Sequence, residues 1–218
     1  MDKVNKIQES PWDFFILPVW IHKKLSVSLK GLIPAFLFVG VFDMFFAQNI
    51  FKASFFRGGM LELTFKLLAF LMLSLLIGAI DVVITMVPIA EFGAMIGKRS
   101  EKYVNHRIPV ILMKSYALSH FLFIIPSALY VYSGVDWVNV NMTSASQIRL
   151  LFSILLVLLN FLPFAQLGII YRTISVRTRL QVFEKLILIL AAYFWMQISG
   201  GAIIFLEGVF HGVMESLG

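Results

Sequence analysis

The sequence contains no cysteine. Disulfides, thiolate nucleophiles and Cys-ligated metals are therefore excluded. Charge is scarce too: Asp, Glu, Lys and Arg make up 14% of the 218 residues, where a soluble domain carries about 25%. With 60% hydrophobic residues and a mean hydropathy of +0.90, there is more apolar surface than one core of this size can hide. The excess implies contact with lipid. The H-E-x-x-H, G-x-S-x-G, Walker and G-x-G-x-x-G patterns are all missing, and an intramembrane enzyme would lack a recognisable nucleophile and base. The expectation is a protein without enzymatic activity, cofactor or bound metal. The net charge of +6 is read as a membrane-facing bias, not as a nucleic-acid footprint. The partners expected are the bilayer and anionic lipid head groups, with a protein as a further candidate.

What remains is apolar sequence in long runs. Five stretches are long enough to cross hydrocarbon: 31–51, 61–97, 108–134, 148–172 and 185–210. Each meets the roughly 20 residues a crossing needs. Lipid offers backbone groups no partner, so these must be helices. The expected fold is all-α: a polytopic membrane protein of five transmembrane helices with an N-terminal interfacial segment. Residues 1–30 form a cytoplasmic N-terminal region, 31–212 the transmembrane domain and 213–218 an outer tail. No cleavable signal peptide is expected, because the first ten residues are polar and no small-residue cleavage site follows.

Within 1–30, PWDFFILPVWIHKK (11–24) is broken by Pro18 and too short to span. Trp12, Trp20, His22, Lys23 and Lys24 suit the membrane surface. The second stretch is too long for one upright crossing, reaching about 50 Å. Pro88 is expected to kink or end it, with 88–97 running along or beyond the surface. Pro34, Pro126 and Pro163 are expected to kink other spans.

The basic residues set an expected orientation. With the N-terminus inside, thirteen fall on the cytoplasmic side: Lys3, Lys6, Lys23, Lys24, Lys30, Lys98, Arg99, Lys102, Arg107, Arg172, Arg177, Arg179 and Lys185. Only Lys52, Arg57 and Arg149 fall outside. This places the C-terminus outside and the chain in the cell membrane. The cytoplasmic basic face, chiefly Lys23, Lys24, Lys98, Arg99, Lys102, Arg107, Arg172, Arg177 and Arg179, is the expected surface for anionic lipid. Gly93-x-x-x-Gly97 and Gly208-x-x-x-Gly212 permit close helix approach.

The informative residues are the polar ones inside spans, which are costly there and usually paired. Counting about 1.5 Å per residue from the cytoplasmic ends puts Asp43, Ser74, His120, Asn160 and Gln197 near one midplane level. A carboxylate facing an imidazole, with two amides beside them, could form an ion site or a network that fixes helix packing. The same ruler puts Asp81, Lys114 and Gln166 in an inner layer, with Asp81 and Lys114 as an ion pair. It separates Asp43 from Asp81 by about 12 Å, too far for a carboxylate dyad. Tyr193, Gln197, Gly200, Gly201, Glu207 and His211 form a stripe expected to face the bundle, with Glu207 at the outer interface.

The stretch PWDFFILP (11–18), the run KSYALSHFLFIIPSALY (114–130) and the order of spans resemble the Yip family. These are Rab/Ypt-interacting five-span membrane proteins with bacterial relatives. The D-L-Y-G-P motif of eukaryotic members is absent; ESPWDFF stands in its place. The resemblance implies a non-enzymatic protein of membrane organisation or partner and lipid binding, and transfers no site residue. The alternative is a proton- or ion-coupled transporter or channel using the midplane residues, which discontinuous helices would support.

Overall fold

The computed structural model describes residues 11, 13–47, 56–102 and 104–216. Lys3, Lys6, Trp12, Lys52 and the end of the tail lie outside the described residues. Helices α1 (Asp13–Ile16) and α2 (Val19–Lys24) lead into a 3-10 turn (Leu29–Gly31) and α3 (Leu32–Phe42). A π turn, Asp43–Ala47, continues α3. Then follow α4 (Met60–Arg99), α5 (Ile108–Ser119), α6 (Phe121–Tyr132), α7 (Ser146–Arg177) and α8 (Val182–Ser216). No strand occurs among the described residues. Five helical stretches are long and apolar enough to span a membrane: Leu29–Phe46, Met60–Arg99, Ile108–Tyr132, Ser146–Arg177 and Val182–Phe210. The chain is an all-α, multi-pass membrane protein.

Large apolar side chains lie on both faces of these helices. Val39, Val82, Met86, Ile111, Ile170, Ile174 and Leu188 form one buried cluster. Leu67, Met72, Val157, Phe194 and Phe205 point outward and stay exposed. In water the outer set would be a liability; in lipid it is the solvent-facing surface. The most extensive contact is α3 on α4, and α4 also packs on α5 and α8. The third span, α5 with α6, is the most enclosed, with 56% of its apolar window buried.

Two glycines set the α3–α4 contact. A Cβ on Gly78 would lie 3.0 Å from Cα of Gly40 and closer still to the carbonyl oxygen of Phe36. A Cβ on Gly40 would run into the carbonyl oxygen of Ser74. Partners fall from 78 to 74 as α3 advances from 36 to 40, so the helices are antiparallel and touch backbone to backbone. Small residues permit such approach in lipid. The pairs flagged in the sequence do something else: a Cβ at Gly93 or Gly97 would meet Leu188 or Val104, while one at Gly208 or Gly212 would have nothing within 4 Å among the described residues.

Pro88 does not end the second span. The helix runs unbroken for 40 residues, about 60 Å, and overshoots a hydrocarbon layer of about 30 Å. Proline at 88 denies the Ile84 carbonyl its usual donor. The indole Nε1 of Trp195 on α8 donates to that carbonyl instead, at 2.9 Å. The lost bond is thus replaced from a neighbouring helix, as lipid demands. Trp195→Phe should cost about 1–2 kcal/mol by orphaning the Ile84 carbonyl. In a Pro88→Ala background, where residue 88 has its own N–H, the same change should cost almost nothing. A thermal double-mutant cycle measures the difference; equal costs in both backgrounds would contradict the replacement.

Helix α8 continues to Ser216. The N-terminal segment is bolted to the bundle, not merely laid on a surface. Leu17 takes a left-handed conformation (φ 61°) between α1 and α2, which is unfavourable for leucine, and Arg172 of α7 holds its carbonyl. Arg172 also pairs with Asp13 at 2.5 Å. Arg177 donates to the carbonyls of His22, Lys23 and Leu25 at the end of α2, where a cation suits the helix dipole. His22 is buried, not interfacial: Nε2 donates to the Ile16 carbonyl and Nδ1 faces Thr173 Oγ1 at 2.7 Å. Burial holds this imidazole below its ordinary pKa.

Candidate functional site

Asp43 opens the π turn at the end of α3. It follows Gly40 by three residues, and Asp81 follows Gly78 by three. In this antiparallel pair the two aspartates therefore flank the glycine contact, one on each side, and helical side chains lean toward the N-terminus, back toward that contact. His120 enters from the third span. Asp43, Asp81 and His120 each present a potential ligand atom, all within 4.8 Å of one another, and all three residues are buried. The expected 12 Å between the aspartates is wrong. The second span does not stop at Pro88, since α4 runs on to Arg99, and helix contact, not distance from the end, sets the level.

The backbone at His120 is irregular for a local reason. Its N–H bonds the Ala117 carbonyl, three residues back, and α5 and α6 part at this residue. The Tyr116 carbonyl, the usual α-helical acceptor, is taken by two side chains: Ser119 Oγ at 2.6 Å and His120 Nδ1 at 2.9 Å. Gln166 of α7 steadies the arrangement by donating to Ser119 Oγ at 2.9 Å. A carbonyl only accepts, so Nδ1 carries the hydrogen, and Nε2 of the neutral ring keeps a free lone pair. The rings of Phe42 and Tyr116 meet the imidazole edge-on at 5.4 and 4.8 Å.

Asp81 is well supplied. Tyr116 OH lies 3.2 and 3.1 Å from its two oxygens, and Thr85 Oγ1 donates to Oδ1 at 3.0 Å. Thr85 in turn lies 3.3 Å from Ser199 Oγ of α8. Asp43 is not: its Oδ2 is buried with no hydrogen-bond partner among the described residues. Glu207 of α8 is buried and lies within electrostatic range of Asp43.

The other sequence-derived residues fall elsewhere. Lys114 does not pair with Asp81. Its ammonium group donates to Ser26 O and Oγ, both at 2.9 Å, and to Ser28 O at 2.7 Å, which uses all three of its hydrogens. Lys114 and Tyr116 are two positions apart, so they lie on opposite sides of α5. Asn160 is exposed and bonds back to the Leu156 carbonyl of its own helix. Gln197 is exposed as well. The buried face of α8 includes Leu188, Ala192, Ser199, Ile203 and Glu207; of the expected stripe Glu207 is on it, Gly201 is exposed with Gln197, and Tyr193 and Gly200 are half-buried. Ser74 is buried beside Gly40, its hydroxyl without a partner among the described residues. Of the basic face, Lys23, Lys24, Lys98, Arg99, Arg107 and Arg179 are exposed and Lys102 is half-buried. Arg172 and Arg177 grip the N-terminal segment instead.

Sequence reading missed Tyr116, Thr85 and Ser199. Tyr116 and His120 are four residues apart on one face, as are Asp81 and Thr85, and that spacing was available to be read. Comparison with known proteins finds no matching family model, no similar curated protein and no similar solved structure, so the Yip resemblance gains no support from them.

Proposed function

We propose that this protein is a cation-handling membrane transporter or channel whose working centre is Asp43, Asp81 and His120. The observation that carries the reading is an unpartnered carboxylate oxygen buried among groups that bind cations or protons. A purely structural polar network would pair that oxygen, because leaving it unmade is costly. Two of the three residues also sit where a membrane helix loses its regular pattern, Asp43 at a π turn and His120 between α5 and α6. Such interruptions are common at transport sites and π turns at functional sites. The reading is non-enzymatic. It includes the orientation in which the exposed basic end faces the cytoplasm of the cell membrane and meets anionic lipid.

The test is flux into proteoliposomes, screened with protons, alkali metals and divalent metals. At least one cation should enter, and Asp43→Asn should cut its rate tenfold or more while circular dichroism stays helical. No flux of any of these cations from folded wild-type protein would overturn transport. The membrane-organising role suggested by the family resemblance would then take its place.

A further inference from the structure

We infer that the centre binds a divalent transition-metal ion, of the manganese, iron, cobalt or zinc class. The inference rests on the cation centre proposed above and narrows its ligand. Three features select the class. Two carboxylates supply a charge of −2, which one divalent ion neutralises and a monovalent ion does not. One imidazole nitrogen favours a transition metal over magnesium or calcium, which prefer oxygen throughout. No thiolate or thioether is among the three donors, which disfavours copper(I).

Asp43 gives an independent pointer to a ligand. It is 8% exposed, and its orphaned Oδ2 belongs to the side chain that contributes to the cluster. The surroundings match what metal ligands ordinarily receive from their neighbours. His120 is oriented through Nδ1 by the Tyr116 carbonyl, leaving Nε2 to bind, and Asp81 is oriented by Tyr116 OH and Thr85. Donors on one ion at about 2.1 Å lie roughly 3–3.5 Å apart in tetrahedral or octahedral geometry. Binding would require the present spread of up to 4.8 Å to close by side-chain rotation. Tyr116 is a positioning residue, since it reaches the ion only through Asp81 and His120.

The experiment is equilibrium titration of chelator-treated full-length protein in nanodiscs with Co²⁺, read by visible absorption, and with Zn²⁺ as competitor. One ion per chain should bind, with Zn²⁺ displacing Co²⁺ and millimolar Mg²⁺ failing to. Asp43→Asn, Asp81→Asn and His120→Gln should each weaken binding at least tenfold. Tyr116→Phe should weaken it less and alter the spectrum, while Asn160→Ala and Gln197→Ala leave it unchanged. Absence of saturable binding by the wild type would overturn the inference without reference to any variant. Binding indifferent to all three ligand substitutions would do the same. Metal-independent proton flux that needs Asp43 would sink the metal while keeping transport; metal binding without flux would keep the site and sink transport.

Discussion

Gly78→Ala is expected to destabilise the protein by about 3 kcal/mol, at the upper end of overpacking costs. On a chain of this length that corresponds to roughly 6–12 °C in melting temperature. The added methyl has no flexible neighbour to push aside: it meets the backbone of Phe36 and Gly40. Relief requires α3 and α4 to separate along the most extensive contact in the bundle. Gly208→Ala is the control. Among the described residues nothing lies within 4 Å of its added methyl, and alanine's better helix propensity should leave stability equal or slightly raised, by about 0.5–1 kcal/mol. A Gly78→Ala protein that melts with the wild type would show that the two backbones do not touch. Separation would also pull Asp43 from Asp81, so any flux or metal binding should fall with stability.

Asp43→Asn should act with opposite signs in two assays. Without added metal, the variant should be more stable than the wild type by about 1–3 kcal/mol. The buried Oδ2 has no partner, and the carboxylate shares its surroundings with Asp81 and Glu207. An amide removes one negative charge and adds N–H groups that Asp81 or His120 Nε2 can accept. Saturating metal should reverse the order, because only the wild type gains binding energy, about 2.7 kcal/mol at a hundred times the dissociation constant. Thermal unfolding with chelator and with metal reads both signs. A metal-free variant less stable than the wild type would mean that the Asp43 carboxylate is a structural element.

Five apolar stretches separated by basic and polar loops made the spans legible from composition, since nothing else explains that surplus of apolar surface. Asp43 and His120, at equal counts from the ends of their spans, do come together. The misses share one cause. A residue count measures position along a helix but says nothing of which way a side chain points around it. Gln197 and Ser199 are two residues apart, yet one faces lipid and the other the bundle. Lys114 and Tyr116 divide in the same way. Pro88 reads as a helix end, yet α4 continues through it with a tryptophan 107 positions later supplying the missing bond, and contact with other helices, not the count, sets the level of Asp81. Gly40 and Gly78 form no local motif; only the folded pair reveals them.

The grip of α7 on the N-terminal segment has a consequence for assembly in time. Asp13, Leu17 and the end of α2 are held by Arg172 and Arg177, so partners some 150 residues apart in the chain must find each other. At about 5–20 residues per second of synthesis, the first segment waits many seconds for its clasp. It closes only when the fourth span is in place, which makes closure a late report that most of the bundle has been inserted.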